Sequence, residues 1–436
     1  MTVVYSFLKK QGVQLSQTDM NEIIHSYNKS SKTKLNFQGF YGDIVKIKDR
    51  RVFIKIFKKP AHIRLADKAI SLLDLDENHI VGFSIVSKME LYSSILLSNR
   101  IKKLYKNIKI VFGGPLINSI DHKFLYQFRA IDYMISGAGE VPFFKLLEYL
   151  RESRGRLDDI PGLTYRKDAA VKRIPAGYWP IDDQCAPDLE GLNFEYYQVR
   201  KERKRISYSL SFGCFRSCSF CGHQKLFTRK YQTKNIKKVI YELEWLSNKY
   251  NTNMYNFCSS CIDRKYLNLL CDSLIDRNLN IKWNMSINPA DIDSILLEKM
   301  YRSGCRDIEM GIESGSDKVL SMMGKGFKIG HANNMIKRAS NMGINIIVHI
   351  LVGYPYETRC NFQDTLNFIK SNRNYVKDYI LYRFCLLSAS PMYCSPAKYR
   401  IKILDPVDIF RNMYMFDEIR GLKYPAKKNT AKIQIY

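Results

Sequence analysis

Two stretches of the chain repeat one alternation: a short apolar run, a glycine-bearing break, then a longer segment with apolar residues every three to four positions. In the first stretch the runs at 80–86, 108–112 and 133–136 read as strands, and 63–75, 91–105, 121–128 and 141–151 as helices. Strands this uniformly apolar are buried on both faces, as in a parallel sheet. Two of them end on glycine clusters, Gly113-Gly114 and Gly137-Ala138-Gly139. The pattern predicts an α/β, doubly wound parallel-sheet domain whose ligand side is the carboxyl end of the strands. Residues 41–59 read as a hairpin turning at Asp49-Arg50.

The second stretch carries six such units. Strands are expected at 206–212, 254–258, 282–288, 307–313, 345–353 and 379–385, with helices near 236–250, 266–277, 292–303, 329–342 and 360–371. Six consecutive strand–helix units predict a partial (β/α) barrel, with its chemistry on the carboxyl rim. Between the stretches lie Pro161, Pro175, Pro180 and Pro187, the composition of a connection. The expected division is 1–155 for the first domain with its basic hairpin, 156–204 for a linker, 205–390 for the barrel and 391–436 for a C-terminal extension.

Composition sharpens this picture at two points. The net charge is +27, spread along the chain, with two dense stretches at Lys46, Lys48, Arg50, Arg51, Lys55, Lys58, Lys59 and Arg64, and at Arg200, Lys201, Arg203, Lys204 and Arg205. An anionic partner (an acidic peptide, a phosphorylated substrate or RNA) is one reading; solvated faces are the other. All eleven cysteines fall at or after Cys185. The first residues hold no apolar core of a secretory signal, and the longest apolar run, 344–352, is interrupted by Asn345 and His349, so a cytoplasmic protein is expected. Reduced, metal-binding or buried thiols suit that compartment better than a disulfide framework.

Three of the cysteines form the run Cys214-x3-Cys218-x2-Cys221, with Phe220 before the last thiol. Three thiolates on one loop can hold three corners of a [4Fe-4S] cluster and leave the fourth iron open to bind and activate a ligand. The alternative, a zinc site completed by His223, lacks the second ligand pair such sites commonly use. The pair Cys258 and Cys261 fits a second metal site less well than a buried pair or a thiol beside a substrate.

The cysteine run after a strand, followed by six strand–helix units, resembles the radical S-adenosylmethionine (SAM) superfamily over roughly residues 205–390. Gly311-Ile-Glu313-Ser314-Gly315-Ser316, Met323-Gly324-Lys325-Gly326 and Gly353-Tyr-Pro355-Tyr-Glu357-Thr358 resemble one subgroup of it, in which a cobalamin-binding-type domain precedes the barrel. Val81-Gly82-Phe-Ser84, Gly113-Gly114-Pro115, Gly137-Ala-Gly139-Glu140 and Leu157-Asp-Asp-Ile-Pro-Gly-Leu-Thr-Tyr165 resemble that domain.

The resemblance implies that Cys214, Cys218 and Cys221 ligate the cluster. It places Phe220, Ser259, Ser260, Asn288, Glu313 and Gly353 against S-adenosylmethionine. Ser84, Gly113, Gly114, Gly137, Gly139 and Glu140 would lie against cobalamin. It further implies an electron donor of flavodoxin or ferredoxin type, reductive cleavage of S-adenosylmethionine to a 5′-deoxyadenosyl radical, and C-methylation of a peptide or natural product. The alternatives are a cobalamin-independent cyclisation, epimerisation or rearrangement, and a transfer-RNA methylthiotransferase. The last normally carries an N-terminal cysteine trio, which this chain lacks. The chain departs from the subgroup at Cys258-Ser259-Ser260-Cys261, where acidic residues are usual, at Asn288, where Arg is common, and at Tyr356, where Gly is usual. It also lacks the Asp-x-His-x-x-Gly cobalt-ligating signature.

Overall fold

The computed structural model describes residues 60–190, 205–223, 230–406 and 413–421. The hairpin expected at 41–59 and the basic positions 46–59 and 200–204 lie outside the described residues. Two compact units divide the chain at Tyr178, the first also taking Asp405–Tyr414.

In the first unit the order is α1 (Pro60–Ile70), β1 (Ile80–Ser84), α2 (Lys88–Leu104), β2 (Lys109–Gly113), α3 (Phe124–Gln127), β3 (Tyr133–Ile135), α4 (Glu140–Glu152), β4 (Leu163–Lys167) and β5 (Ala170–Arg173). β1, β2 and β3 are parallel neighbours. Alternation along β2 explains the layering: Ile110 and Phe112 pack with Leu91, Tyr92 and Ile95 of α2 and Phe124 of α3, while Val111 packs with Leu146 of α4. α2 starts on a reciprocal cap, in which Ser87 Oγ accepts the Glu90 amide at 3.3 Å and Glu90 Oε2 accepts the Ser87 amide at 3.0 Å.

Residues 163–173, read as part of a connection, form the hairpin β4–β5, added antiparallel to β3. Leu163 and Tyr165 bury one face against Leu146 and Ile160, and the charged Arg166, Lys167, Lys172 and Arg173 mask the pattern. The helix expected at 121–128 is shorter, reduced to α3 after a 3-10 turn at Pro115–Ser119.

The second unit runs β6 (Arg205–Tyr208), β7 (Ser211–Phe212), β8 (Gln232–Thr233), α5 (Ile236–Tyr250), β9 (Met254–Phe257), α6 (Arg264–Asp276), β10 (Lys282–Ile287), α7 (Ser294–Arg302), β11 (Cys305–Glu313), α8 (Asp317–Met323), α9 (Ile329–Asn341), β12 (Asn345–Val352), α10 (Arg359–Asn372) and β13 (Asp378–Arg383). β14 (Leu386–Leu387), α11 (Pro391–Cys394), β15 (Ile401–Pro406) and β16 (Met413–Glu418) follow, with the three strands in one small sheet. The six-stranded parallel sheet has the order β13-β12-β11-β10-β9-β6. The strand expected at 206–212 is split: β6 joins this sheet, and β7 pairs instead with β8.

Sequential order fixes the architecture. Right-handed crossovers that always step in one direction place every helix on one face. That face is the core: Tyr208, Tyr255, Phe257, Trp283, Met285, Ile308, Met310, Ile346 and Val348 pack beneath the helices. The other face must curl. Arg205 on β6 lies 3.5 Å from Asp307 on β11, although two strands intervene and a flat sheet would hold the two backbones about 14 Å apart. The sheet is an open, curled half-barrel with a polar inner face. Among the described residues no helix is long and apolar enough to cross a membrane.

Candidate active site

The cysteine loop leaves β7 and is gripped from three sides. Ser219, buried between Cys218 and Phe220, donates its amide to the Met323 carbonyl at the end of α8 (3.0 Å). Its carbonyl accepts the Met392 amide of α11 (2.9 Å), and its hydroxyl meets the Tyr354 hydroxyl after β12 (2.7 Å). Tyr354 also donates to the Met322 carbonyl (2.9 Å), so it fastens the loop to the rim. Arg216 pairs with the buried Asp291. The Cys221 amide closes a tight turn on the Cys218 carbonyl at 3.1 Å.

Among the described residues no three His, Cys, Asp or Glu side chains are drawn together around a single metal ion. The three loop thiols nonetheless feel one another electrostatically, and Lys325 faces both Cys218 and Cys221. Burial pushes these two thiols up. Cys214 is held low, chiefly by a hydrogen bond with the Cys261 thiol, while Cys261 is raised by the same bond and by burial. Three soft thiol donors beside a buried cation suit an anionic iron–sulfur cluster better than a lone hard cation.

Lys325 is the residue that sequence reasoning passed over, although the Met-Gly-Lys-Gly run marked it. Its Nζ sits 3.2 Å from Glu313 Oε1, with both side chains largely shielded from water. Glu313 reaches this position because the β11–β12 register slips between Gly311 and Glu313, and its backbone takes a left-handed φ of 68°. Such a bulge re-aims a side chain at a sheet rim. Asn288, expected against S-adenosylmethionine, uses its side chain locally: Oδ1 caps the Ala290 amide and Nδ2 donates to the Lys325 carbonyl (3.1 Å). Ser259 Oγ is buried with no hydrogen-bond partner, an orphan that a bound polar ligand would satisfy. Ser260 is exposed, and Gly353 donates its amide to Glu357 (2.7 Å). Tyr356, where Gly is usual, does adopt φ 62°; its amide is held by Glu418 (2.7 Å) and its hydroxyl by the Arg400 carbonyl (2.6 Å).

The Lys325–Glu313 pair gives a direct test. Removing one partner of a shielded pair strands the other charge at a cost of about 3 kcal/mol. Lys325→Met should lower stability by that amount in denaturant titrations, and adding Glu313→Gln should restore most of it.

In the first unit, Ser84, Gly113, Gly114, Gly137, Gly139 and Glu140 gather at the carboxyl ends of β1, β2 and β3. The glycines are not equivalent. A Cβ on Gly114 (φ 96°) would lie 2.4 Å from the Ile85 amide nitrogen, so backbone packing alone requires glycine there. A Cβ on Gly113 or Gly139 would meet nothing within 4 Å. Those two face open space.

An open half-barrel carrying a three-thiol loop at its rim defines a class. Residues 208–369 match the model of the Radical SAM superfamily, and this part of the chain is a radical SAM domain. The chain is 25% identical over 307 residues to an uncharacterized methyltransferase of Pyrococcus horikoshii, covering 70% of this chain and 66% of that protein. It is 27% identical over 274 residues to the anaerobic magnesium-protoporphyrin IX monomethyl ester cyclase of Rubrivivax gelatinosus, covering 61% and 49%. The chain thus spans about half to two thirds of the length of these curated relatives. Its fold is similar to that of TsrM from Kitasatospora setae, a radical S-adenosylmethionine methyltransferase solved with cobalamin and a [4Fe-4S] cluster (TM-score 0.64, 17% identity, 80% of this chain and 73% of that one).

Proposed function

We propose that the protein is a radical SAM enzyme that methylates carbon with the help of cobalamin. The observation that carries the reading is the buttressed three-thiol loop on the half-barrel rim, in a chain whose fold matches a cobalamin-bound methyltransferase over four fifths of its length. Cys214, Cys218 and Cys221 would hold the cluster. When bound and reduced by an external one-electron donor, the cluster supplies reductive cleavage of S-adenosylmethionine. The protein's part is to orient the ligand and exclude water. Ser259 offers an unspent hydroxyl for that task, Phe220 an aromatic face, and the Glu313 carboxylate and the Gly353 backbone further contacts.

Support for cobalamin comes from the strand ends of the first unit. Gly113 and Gly139 have no packing reason to be glycine, whereas a large planar ligand approaching the backbone would supply one. Ser84 and Glu140 add polar atoms at the same edge. A peptide or natural product is the proposed methyl acceptor.

Anaerobically reconstituted protein, supplied with S-adenosylmethionine, a reductant, cobalamin and a methyl acceptor, should form 5′-deoxyadenosine and S-adenosylhomocysteine together. 5′-Deoxyadenosine alone, at any cobalamin concentration, would leave a cyclising or rearranging enzyme, in line with the cyclase relative.

A further inference from the structure

The inner face of the half-barrel is polar at two levels, and the levels differ in how far their hydrogen-bonding capacity is used. The lower level, toward the amino ends of the strands, is saturated. Arg205 donates to Asn284 (2.8 Å), Asn284 to Asn256 (2.9 Å) and Asn345 to Asp307 (3.0 Å), and Asp307 is neutralised by Arg205 and by Lys377 at 3.7 Å. This layer is a finished plug.

One step toward the rim the account does not close. Ser286 on β10 donates to Glu309 on β11 (3.2 Å). His349 Nε2 on β12 lies 3.4 Å from the same Glu309 oxygen, but out of line, so this buried nitrogen makes no hydrogen bond. Tyr382 on the edge strand β13 sets its ring 5.6 Å from the imidazole, and its side chain is nearly half exposed. Of the facing charges, Asp307 is paired with Arg205 and Lys377, and Glu313 with Lys325. Among the described residues Glu309 has no lysine or arginine partner.

We propose that Glu309, His349 and Tyr382 form the substrate-anchoring site of the half-barrel, and that they recognise a primary ammonium group. In its Nδ1-protonated tautomer His349 would offer an acceptor beside the Glu309 carboxylate, and a donor placed between the two would satisfy both. An ammonium between them has three donors. One goes to the carboxylate and one to Nε2, and the charge lies against the exposed tyrosine ring. The substrate class is therefore an amine, such as an amino acid or a lysine-bearing or N-terminal peptide. This deepens the reading of a radical enzyme acting on a peptide or natural product, and rests on it. It also runs against the chain's overall positive charge, which by itself favours anions.

The test is binding, measured by calorimetry on reconstituted protein with S-adenosylmethionine, using n-butylammonium, butyrate and 1-butanol as probes. Butylammonium should bind saturably and more tightly than the other two. Glu309→Gln should weaken it about ten- to a hundredfold, the loss of a charge-assisted hydrogen bond. Tyr382→Leu, at an exposed edge position that folding tolerates, should weaken it severalfold. No saturable binding of butylammonium, equal binding of the three probes, or an unchanged affinity in both variants would overturn the proposal. The readout needs no turnover. A protein that binds butylammonium but forms no S-adenosylhomocysteine retains this site and loses methyl transfer; the reverse result loses only this site.

Discussion

Cys214→Ala is expected to leave the reconstituted protein with a small residue of its iron, roughly a tenth or less, and no S-adenosylmethionine cleavage. A cluster bound by three thiolates has no spare protein ligand, and metal binding collapses when a first ligand is lost. Cys214 sits at the start of the loop, against Cys261. That neighbour makes the experiment informative, because Cys261 is the one thiol placed to substitute. Cys261→Ala, by contrast, should keep its iron. If Cys214→Ala retained a full cluster, or if Cys261→Ala lost it, the ligand set assigned to Cys214, Cys218 and Cys221 would be wrong. Iron and sulfide content with visible absorbance decides the matter without any substrate.

Gly315→Val should destabilise the second unit by about 4 kcal/mol, seen as a lower denaturation midpoint with an unchanged slope. A Cβ at Gly315 would lie 2.6 Å from the Asp364 carbonyl oxygen and 2.6 Å from the Thr365 Cα, both backbone atoms of α10. Neither can yield without moving the helix. The Gly315 amide also donates to Thr365 Oγ1 at 3.0 Å, and Asn361 Nδ2 bonds Ser316 Oγ at 3.0 Å, so α10 is clamped onto the turn after β11. That turn follows Glu313 directly. Gly315→Ala should cost less than valine and still lower the midpoint. A midpoint unchanged in both variants would show that α10 is free to retreat.

Much of this was legible in the chain. Runs such as 254–258 and 345–353 are apolar enough to specify buried parallel strands, and the six-strand expectation matches the sheet closely because each strand alternates core and inner-face residues. The cysteine spacing marked the loop. The hairpin at 163–173 was not legible: its charged residues hide a one-sided strand, and only the neighbouring β3 supplies the partner that makes it one. The local bonds of Asn288 were not legible either, because a strand-end polar residue looks the same in sequence whether it faces a ligand or caps the next turn.

What the sequence determined by itself was therefore periodic or covalent: strand and helix type, their order, and three thiols within eight residues. These follow from local rules that hold wherever the segment ends up. What only the tertiary structure decided were the meetings of distant residues. Tyr354 reaches back to hold Ser219, and Lys325 comes to neutralise Glu313 across a bulge. Glu309 and His349 face each other on adjacent strands with a hydrogen bond unmade. Such contacts depend on register and on the curl of the sheet, and a shift of one residue in either would turn those side chains to the other face.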